Sequence, residues 1–325
     1  MFNYILRRLL YAFPLLFGVN VLTFMLFFVV NSPNDMARMH LGQKHVTEQA
    51  VDNWKQQRGY DLPLLINSNA EGLNQIKKTI FYQKSLRLFA FDFGISDSGR
   101  NIGEDIQQRM WPSLAIALPS LILGLVLNIT VALMMVLFRQ SYLELSSILL
   151  CIVIMSISSL FYIIGGQFLV GKLLMLVPIS GYDTGLNAIK FLILPVLISV
   201  VAGVGSGARW YRSLFLEEIE QDYVRTARAK GLTETQVLFK HVLKNAMIPI
   251  LTGVVVILPL LFMGSLITES FFSIPGLGSY TIDAINSQDF AIVRAMVFLG
   301  SVLYIIGLIL TDISYTLVDP RVRLS

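Results

Sequence analysis

The 325-residue chain is 55% hydrophobic and 14% charged, with a formal net charge of +4. Soluble globular proteins carry about 25% charged residues, so this composition and a mean hydropathy of +0.68 exclude a disordered chain and argue against a water-soluble enzyme. The single cysteine, Cys151, excludes an internal disulfide or thiolate cage and reads as a small buried apolar residue.

A hydrocarbon core of about 30 Å needs roughly 20 apolar residues of helix. Six blocks meet or approach this: 9–30, 113–138, 145–170, 191–208, 246–268 and 295–311, none containing Asp, Glu, Lys, Arg or His. Lipid offers no partner for free backbone groups, so the blocks are expected to be helices. The predicted fold class is an all-α polytopic membrane protein with six transmembrane helices. Three regions follow: 1–30, with the first helix; 31–112, a helical extracytoplasmic loop between helices 1 and 2; and 113–325, a transmembrane core with a cytoplasmic segment at 209–245.

In the first region Arg7 and Arg8 precede the apolar run, as in a secretory signal. The run is too long for one and no small-x-small cleavage site follows, so it reads as an uncleaved first span. In the loop, Val46, Ala50, Val51 and Trp54 recur at helical spacing after Thr47-Glu48, and Gly59 stands where that helix would end. A second helical stretch is predicted near Leu73, Ile76 and Ile80, followed by the aromatic cluster Phe89, Phe91 and Phe93. The loop reads either as a lid on the membrane surface or as a docking surface for an outside partner.

Lysine and arginine set the orientation. With the N-terminus inside, 12 of them fall on inner segments (Arg7, Arg8, Arg139, Arg209, Arg212, Arg225, Arg228, Lys230, Lys240, Lys244, Arg321, Arg323) and 3 on short outer ones (Lys172, Lys190, Arg294). Both termini are therefore expected in the cytoplasm of a bacterial cell, on the inner face of its cytoplasmic membrane. The basic excess reports topology and contact with lipid, not nucleic-acid binding.

Several motifs are set aside. Gly166 to Lys172 resembles a phosphate-binding loop, but Leu173 replaces the Ser or Thr that would hold Mg²⁺. Asn128-Ile129-Thr130 is a glycosylation triplet inside a span. His40, His45 and His241 have no metal spacing. Gly203 and Gly207 form a small-xxx-small pair, suited to close helix packing or to a flexible helix end. Glu144, Glu269, Arg294 and Asp312 lie near block ends and read as interfacial. No nucleophile–base pair appears, so the chain is expected to be a transport subunit and not an enzyme, with no cofactor or metal of its own.

The segment 209–245 carries the clearest signal. Glu217, Glu218, Glu220 and Asp222 precede Arg225, Arg228 and Lys230, an order that suits the helix dipole. Gly231 can close that helix in a left-handed turn. Thr233 with Gln236 forms a capping box for a second helix with the apolar face Val237, Leu238 and Val242. The prediction is helix, glycine turn, helix, acting as a protein-docking element.

Asp222-Tyr-Val-Arg-Thr-Ala-Arg-Ala-Lys-Gly231-Leu, followed by His241, Asn245 and Pro249, resembles the coupling loop of ABC importer permeases of the dipeptide/oligopeptide/nickel family. Further similarities are Val177-Pro-Ile-Ser-Gly181, Glu269-Ser-Phe-Phe-Ser-Ile-Pro-Gly-Leu-Gly278, Asp319-Pro-Arg321, Arg58-Gly-Tyr-Asp-Leu-Pro63 and Asp92-Phe-Gly-Ile-Ser96. Three positions depart from the family. Arg225-Thr226-Ala227 stands where the general loop has Glu-Ala-Ala, Ser158-Ser159-Leu160 where Ser-x-Pro is common, and Phe91 where a glycine is expected.

The resemblance implies a permease subunit that pairs with a second permease, two cytoplasmic ATPases holding ATP and Mg, and an extracytoplasmic substrate-binding protein. It implies that Arg225, Thr226, Ala227, Arg228, Ala229, Lys230 and Gly231 couple the chain to an ATPase. A charge at Ala227 is expected to disturb that partner surface while leaving membrane insertion intact. The implied cargo is a di- or oligopeptide, with nickel chelates, antimicrobial peptides and polyamines as alternatives. A translocation pathway is expected along Ser156, Ser158, Ser159, Met263 and Ser265, residues that serve helix packing equally well. Outside the resemblance, the competing readings are a stand-alone secondary transporter or channel, which would need intramembrane charges or broken-helix pairs, and a membrane scaffold.

Overall fold

The computed structural model describes residues 2–42, 46–68 and 70–318. His45 and the Asp319-Pro-Arg321 motif lie outside them. Among the described residues the regular structure is helical, and a single bridge between Ile95 and Asn101 is the paired extended backbone. Five helices are long and apolar enough to cross a membrane: Leu10–Val30, Ile102–Leu137, Gly185–Ile219, Glu234–Met263 and Phe290–Ser314. The pair Tyr142–Ser156 and Ser159–Leu173 makes a sixth if counted as one span. The chain is an all-α polytopic membrane protein, as predicted.

Two blocks predicted as continuous helices are interrupted. The pair covering 145–170 bends by 88°. Ile157 (φ −91°, ψ 127°) and Ser158 (φ −61°, ψ 143°) are extended at the bend. The Ser156 hydroxyl donates back to the Ile152 carbonyl at 2.8 Å, a bond that competes with regular helix. At the break the Ile154 carbonyl keeps only a long bond from the Ile157 amide at 3.4 Å, and the Tyr162 hydroxyl donates to it at 2.9 Å. Serines and one tyrosine thus hold the bend, at the Ser158-Ser159-Leu160 stretch that lacks a proline. The block 246–268 ends early, in a 3₁₀ turn at Pro259–Met263. Ser265 then caps a separate helix, Leu266–Phe272, its hydroxyl accepting from the Thr268 amide at 3.3 Å.

The described chain divides into two compact units. One comprises residues 2–108 and Tyr280–Ile309. Its core is Phe24, Phe28, Met36, Ala37, Val51, Trp54, Tyr60 and Ile80, joined by half-buried Phe81 and Phe290. Helix Glu48–Arg58 forms as predicted: the Thr47 hydroxyl accepts from the Ala50 amide at 3.3 Å, Val51 and Trp54 face inward, and Gly59 ends it. The stretch predicted near Leu73 is two short helices, Asn74–Lys77 and Ile80–Lys84. Extended Thr79 separates them and caps the second. The aromatic cluster disperses. Phe91 meets Phe93 with ring centroids 6.1 Å apart, while Phe89 packs on Phe13 and Phe298.

The other unit comprises Arg109–Ser279 and residues 310–318. Its helices approach closely at two glycines of Ala188–Ile219. A Cβ on Gly205 would meet the Cys151 carbonyl at 2.5 Å, and one on Gly207 would strike the Asn128 side chain. Gly203 faces open space, so the packing residues are 205 and 207, on two neighbouring helices, and not the predicted 203–207 pair. Cys151 is buried as expected. The phosphate-loop lookalike is helical, running into the π-helix Gln167–Leu173.

Candidate functional site

The segment between the Gly185–Ile219 and Glu234–Met263 spans is built in three steps. Helix Ala188–Ile219 continues well past the apolar block, so Glu217 and Glu218 belong to the preceding span. The chain turns at Glu220 and Gln221 (φ −70°, ψ 150°), and a short helix, Asp222–Ala229, begins. The predicted single helix with acids leading bases is therefore two helices, because Gln221 adopts extended backbone between them. Gly231 then turns at φ +80°, its amide donating to the Arg228 carbonyl at 2.9 Å. The predicted capping box is present: the Thr233 hydroxyl accepts from the Gln236 amide at 3.3 Å, and the Gln236 side chain accepts from the Thr233 amide at 3.2 Å. The helix it starts runs through Leu238–Val242 into Leu243–Ile257, so it is the mouth of the next span.

Apolar packing fixes how the short helix sits. Val224 and Ala227 are buried with Tyr211, Phe215, Ile219, Val237, Leu238 and Val242. Arg228 spans the glycine turn, its guanidinium donating to both Glu234 oxygens at 2.8 and 3.0 Å. Tyr223 donates to Glu218. Burial, and then that hydrogen bond, push its phenol up to about 12, so it stays a donor at ordinary pH. Arg225, Thr226, Ala229, Lys230 and Gly231 are exposed. The seven residues thus form a small knob with an outer face, but Ala227 lies beneath that face. This overturns the expectation that a charge at Ala227 acts on a partner alone.

The expected pathway residues gather at the two helix breaks. Ser156, Ser158 and Ser159 surround the 88° bend, and Met263 and Ser265 flank Gly264. All but half-buried Met263 are exposed. The two breaks belong to neighbouring helices: the Gln167 side chain, within the second arm of the bent pair, donates to the Phe271 carbonyl at 3.0 Å. Among the described residues no hydrogen bond joins the two serine groups.

Two charges read as interfacial are buried instead: Glu269 is 1% exposed and Arg294 4%. Glu269 accepts from the Ser265 amide and the Ser279 amide, each at 3.1 Å, and so ties helix Leu266–Phe272 to the start of Leu277–Asn286. Ser113 joins them, its hydroxyl accepting from the Leu277 amide at 2.8 Å. The sequence signal for this node was Glu269 standing near Gly264, Gly276 and Gly278, three positions without a side chain. Glu144, also read as interfacial, pairs with Arg212 between neighbouring helices.

Residues 129–324 match the family described as binding-protein-dependent transport system inner membrane component. Residues 1–87 match the N-terminal part of such membrane components. Over 99% of both chains, the protein is 31% identical to the glutathione transport system permease protein GsiC of Salmonella typhimurium. It is 30% identical, at the same coverage, to that of Escherichia coli.

Proposed function

Because the chain belongs to the inner-membrane components of binding-protein-dependent transport systems, the permease subunits of ABC importers, we propose that it carries di- or oligopeptides inward across the bacterial cytoplasmic membrane. The end-to-end similarity to permeases named for glutathione, itself a tripeptide, supports a short peptide as cargo. In this reading the chain pairs with a second permease, and an extracytoplasmic binding protein delivers the substrate. Two ATPases supply the energy, and ATP and Mg stay with them. Family membership sets aside the stand-alone carrier and the scaffold.

The observation that carries the coupling role is the knob itself. Arg225, Thr226, Ala229, Lys230 and Gly231 present a small exposed surface on a helix whose other side is locked by Val224, Ala227 and the Arg228–Glu234 pair. A helix held this rigidly passes a push on its outer face to the two spans it joins. ATP-driven closure of the partner would then shift the bundle between two states by differential binding. Ser156, Ser158, Ser159, Met263 and Ser265 would line the path, since helix breaks expose backbone polar groups where a cavity can hydrate them.

The test is a pair of variants on the outer face, Ala229→Trp and Lys230→Glu, in the chain co-expressed with its ATPase subunits. Both positions are exposed, so permease amounts in the membrane should match wild type. Copurification of the ATPases and peptide uptake should fall about tenfold or more, the usual range for a central interface residue. Wild-type uptake in both would remove the coupling assignment. Gly231→Val should act in the same direction, because a β-branched residue is strained at φ +80°. Arg228→Ala should be milder, since the pair with Glu234 is substantially solvated.

Orientation is tested by thiol labelling in a Cys151→Ser background. A cysteine at exposed Gln56 should react with an impermeant reagent in intact spheroplasts. One at exposed Thr235 should react only after the membrane is opened. Labelling of Thr235→Cys in intact cells would invert the topology.

A further inference from the structure

The unit containing residues 2–108 and Tyr280–Ile309 holds an open cavity of about 550 Å³ whose charged lining residues are mostly cations. Arg58, Lys84, Arg87 and Arg294 face two carboxylates, Asp92 and Asp97. Both carboxylates are already engaged. Asp97 accepts from Arg58 at 2.7 Å and lies 3.9 Å from His40, and Asp92 pairs with Arg87 at 3.4 Å. The nearby Asp289 is occupied as well, accepting from the Asp97 amide at 2.6 Å and the Ile292 amide at 3.2 Å.

Arg294 and Lys84 are left over. Arg294 is 4% exposed. It reaches the Phe290 carbonyl at 3.2 Å, the Lys84 carbonyl at 3.4 Å and the Tyr60 hydroxyl at 3.5 Å, and it stacks over Phe28 at 4.7 Å. Among the described residues it makes no ion pair. The Lys84 ammonium lies 5.4 Å from the Tyr60 ring centre and likewise pairs with none of the carboxylates. Burial, and then the positive fields of Arg294 and Arg87, pull Lys84 below its ordinary value, against the weaker opposing fields of Asp92 and Asp97. The fields of Asp289 and Asp97 reach Arg294, but neither carboxylate contacts it; a buried guanidinium with no direct ion pair is expensive, and its planar fork matches a carboxylate or phosphate.

We propose that this cavity is a binding site for an oxyanion, a carboxylate or phosphate group seated between Arg294 and Lys84. It uses none of the residues assigned to coupling or passage. The anion comes either from a small soluble molecule or from an acidic lipid headgroup, and the two sources are separable.

The full chain, purified with the subunits that accompany it, is placed in nanodiscs of zwitterionic lipid. Citrate and inorganic phosphate are titrated at constant ionic strength, with chloride as control, and the thermal midpoint is followed. In a second arm phosphatidylglycerol replaces part of the lipid, and retained lipid is counted by native mass spectrometry. One arm should show saturable binding. Lys84→Gln should weaken it about tenfold or more, as loss of one partner of a desolvated charge pair does, and Lys84→Arg should preserve it. Arg294→Gln should abolish it. Lys84→Gln decides if Arg294→Gln, which also loses the stack on Phe28, fails to accumulate. Binding only in the first arm assigns a soluble anion, and binding only in the second a lipid headgroup. Absence of binding in both arms, or undiminished binding by Lys84→Gln, overturns the site.

Discussion

Ala227→Asp is expected to deplete the permease from the membrane instead of merely uncoupling it. Ala227 is 4% exposed and packs among Val224, Phe215, Ile219 and Val237. An aspartate there puts a carboxylate into an apolar cluster with no cation assigned to it. Arg228, on the same helix, is already spent on Glu234 through two hydrogen bonds. Burying an unpaired charge costs several kcal/mol even after the structure relaxes. Loss of that size rivals the whole margin of about 5–15 kcal/mol by which folded proteins persist. Swinging the short helix outward would relieve the charge, but would expose Val224 and the ring of apolar residues beneath it. The measurement is permease abundance in solubilised membranes together with the thermal midpoint. Ala227→Ser, which adds a small group able to bond to the helix backbone, should be far milder. An Ala227→Asp chain with wild-type abundance and midpoint would show that Ala227 is not seated in this core.

The second large effect is expected at Glu269. Its two oxygens accept from the amides of Ser265 and Ser279, and the Ser113 hydroxyl and Gly278 amide also bond to the carboxylate. All these partners are donors, so only a group with acceptors on both sides satisfies them. Glu269→Gln keeps the shape but turns an NH₂ towards an N–H, leaving at least one buried donor unmatched. Such a loss costs about 1–3 kcal/mol per group. Crowding adds a steric version of the same test. A Cβ on Gly264 or Gly276 would stand less than 3.0 Å from both the carboxylate and the Ser113 hydroxyl, and one on Gly278 would meet the Ser265 backbone at 2.6 Å. Glu269→Gln and Gly276→Ala should each lower the thermal midpoint clearly. Their double variant should be less harmful than the sum, because both disturb one set of bonds. Strict additivity of the two would refute a shared node. Uptake should fall in parallel, since helix Leu266–Phe272 adjoins Ser265 of the expected path.

Much of this protein is legible in the sequence, and the reason is the solvent. A bilayer demands long uncharged runs with internally satisfied backbones, so block length alone yields the spans. Local capping chemistry was equally readable. Thr47 and Gly59 bound one helix, and Gly231, Thr233 and Gln236 form the turn and capping box at their expected places, because these bonds reach only three or four residues. Tertiary structure decided what depends on partners distant in the chain. Ser156 and Tyr162 bend a block that composition reads as straight, since apolarity says nothing about where a helix bends. Glu269 and Arg294 are buried because Ser113 and Tyr60, more than 150 and 230 residues away, come to meet them. Whether a charge near a block end reaches for water or inward depends on what packs against it, and Ala227 turns inward for the same reason: Phe215 and Val237 close over it from the two spans the short helix joins.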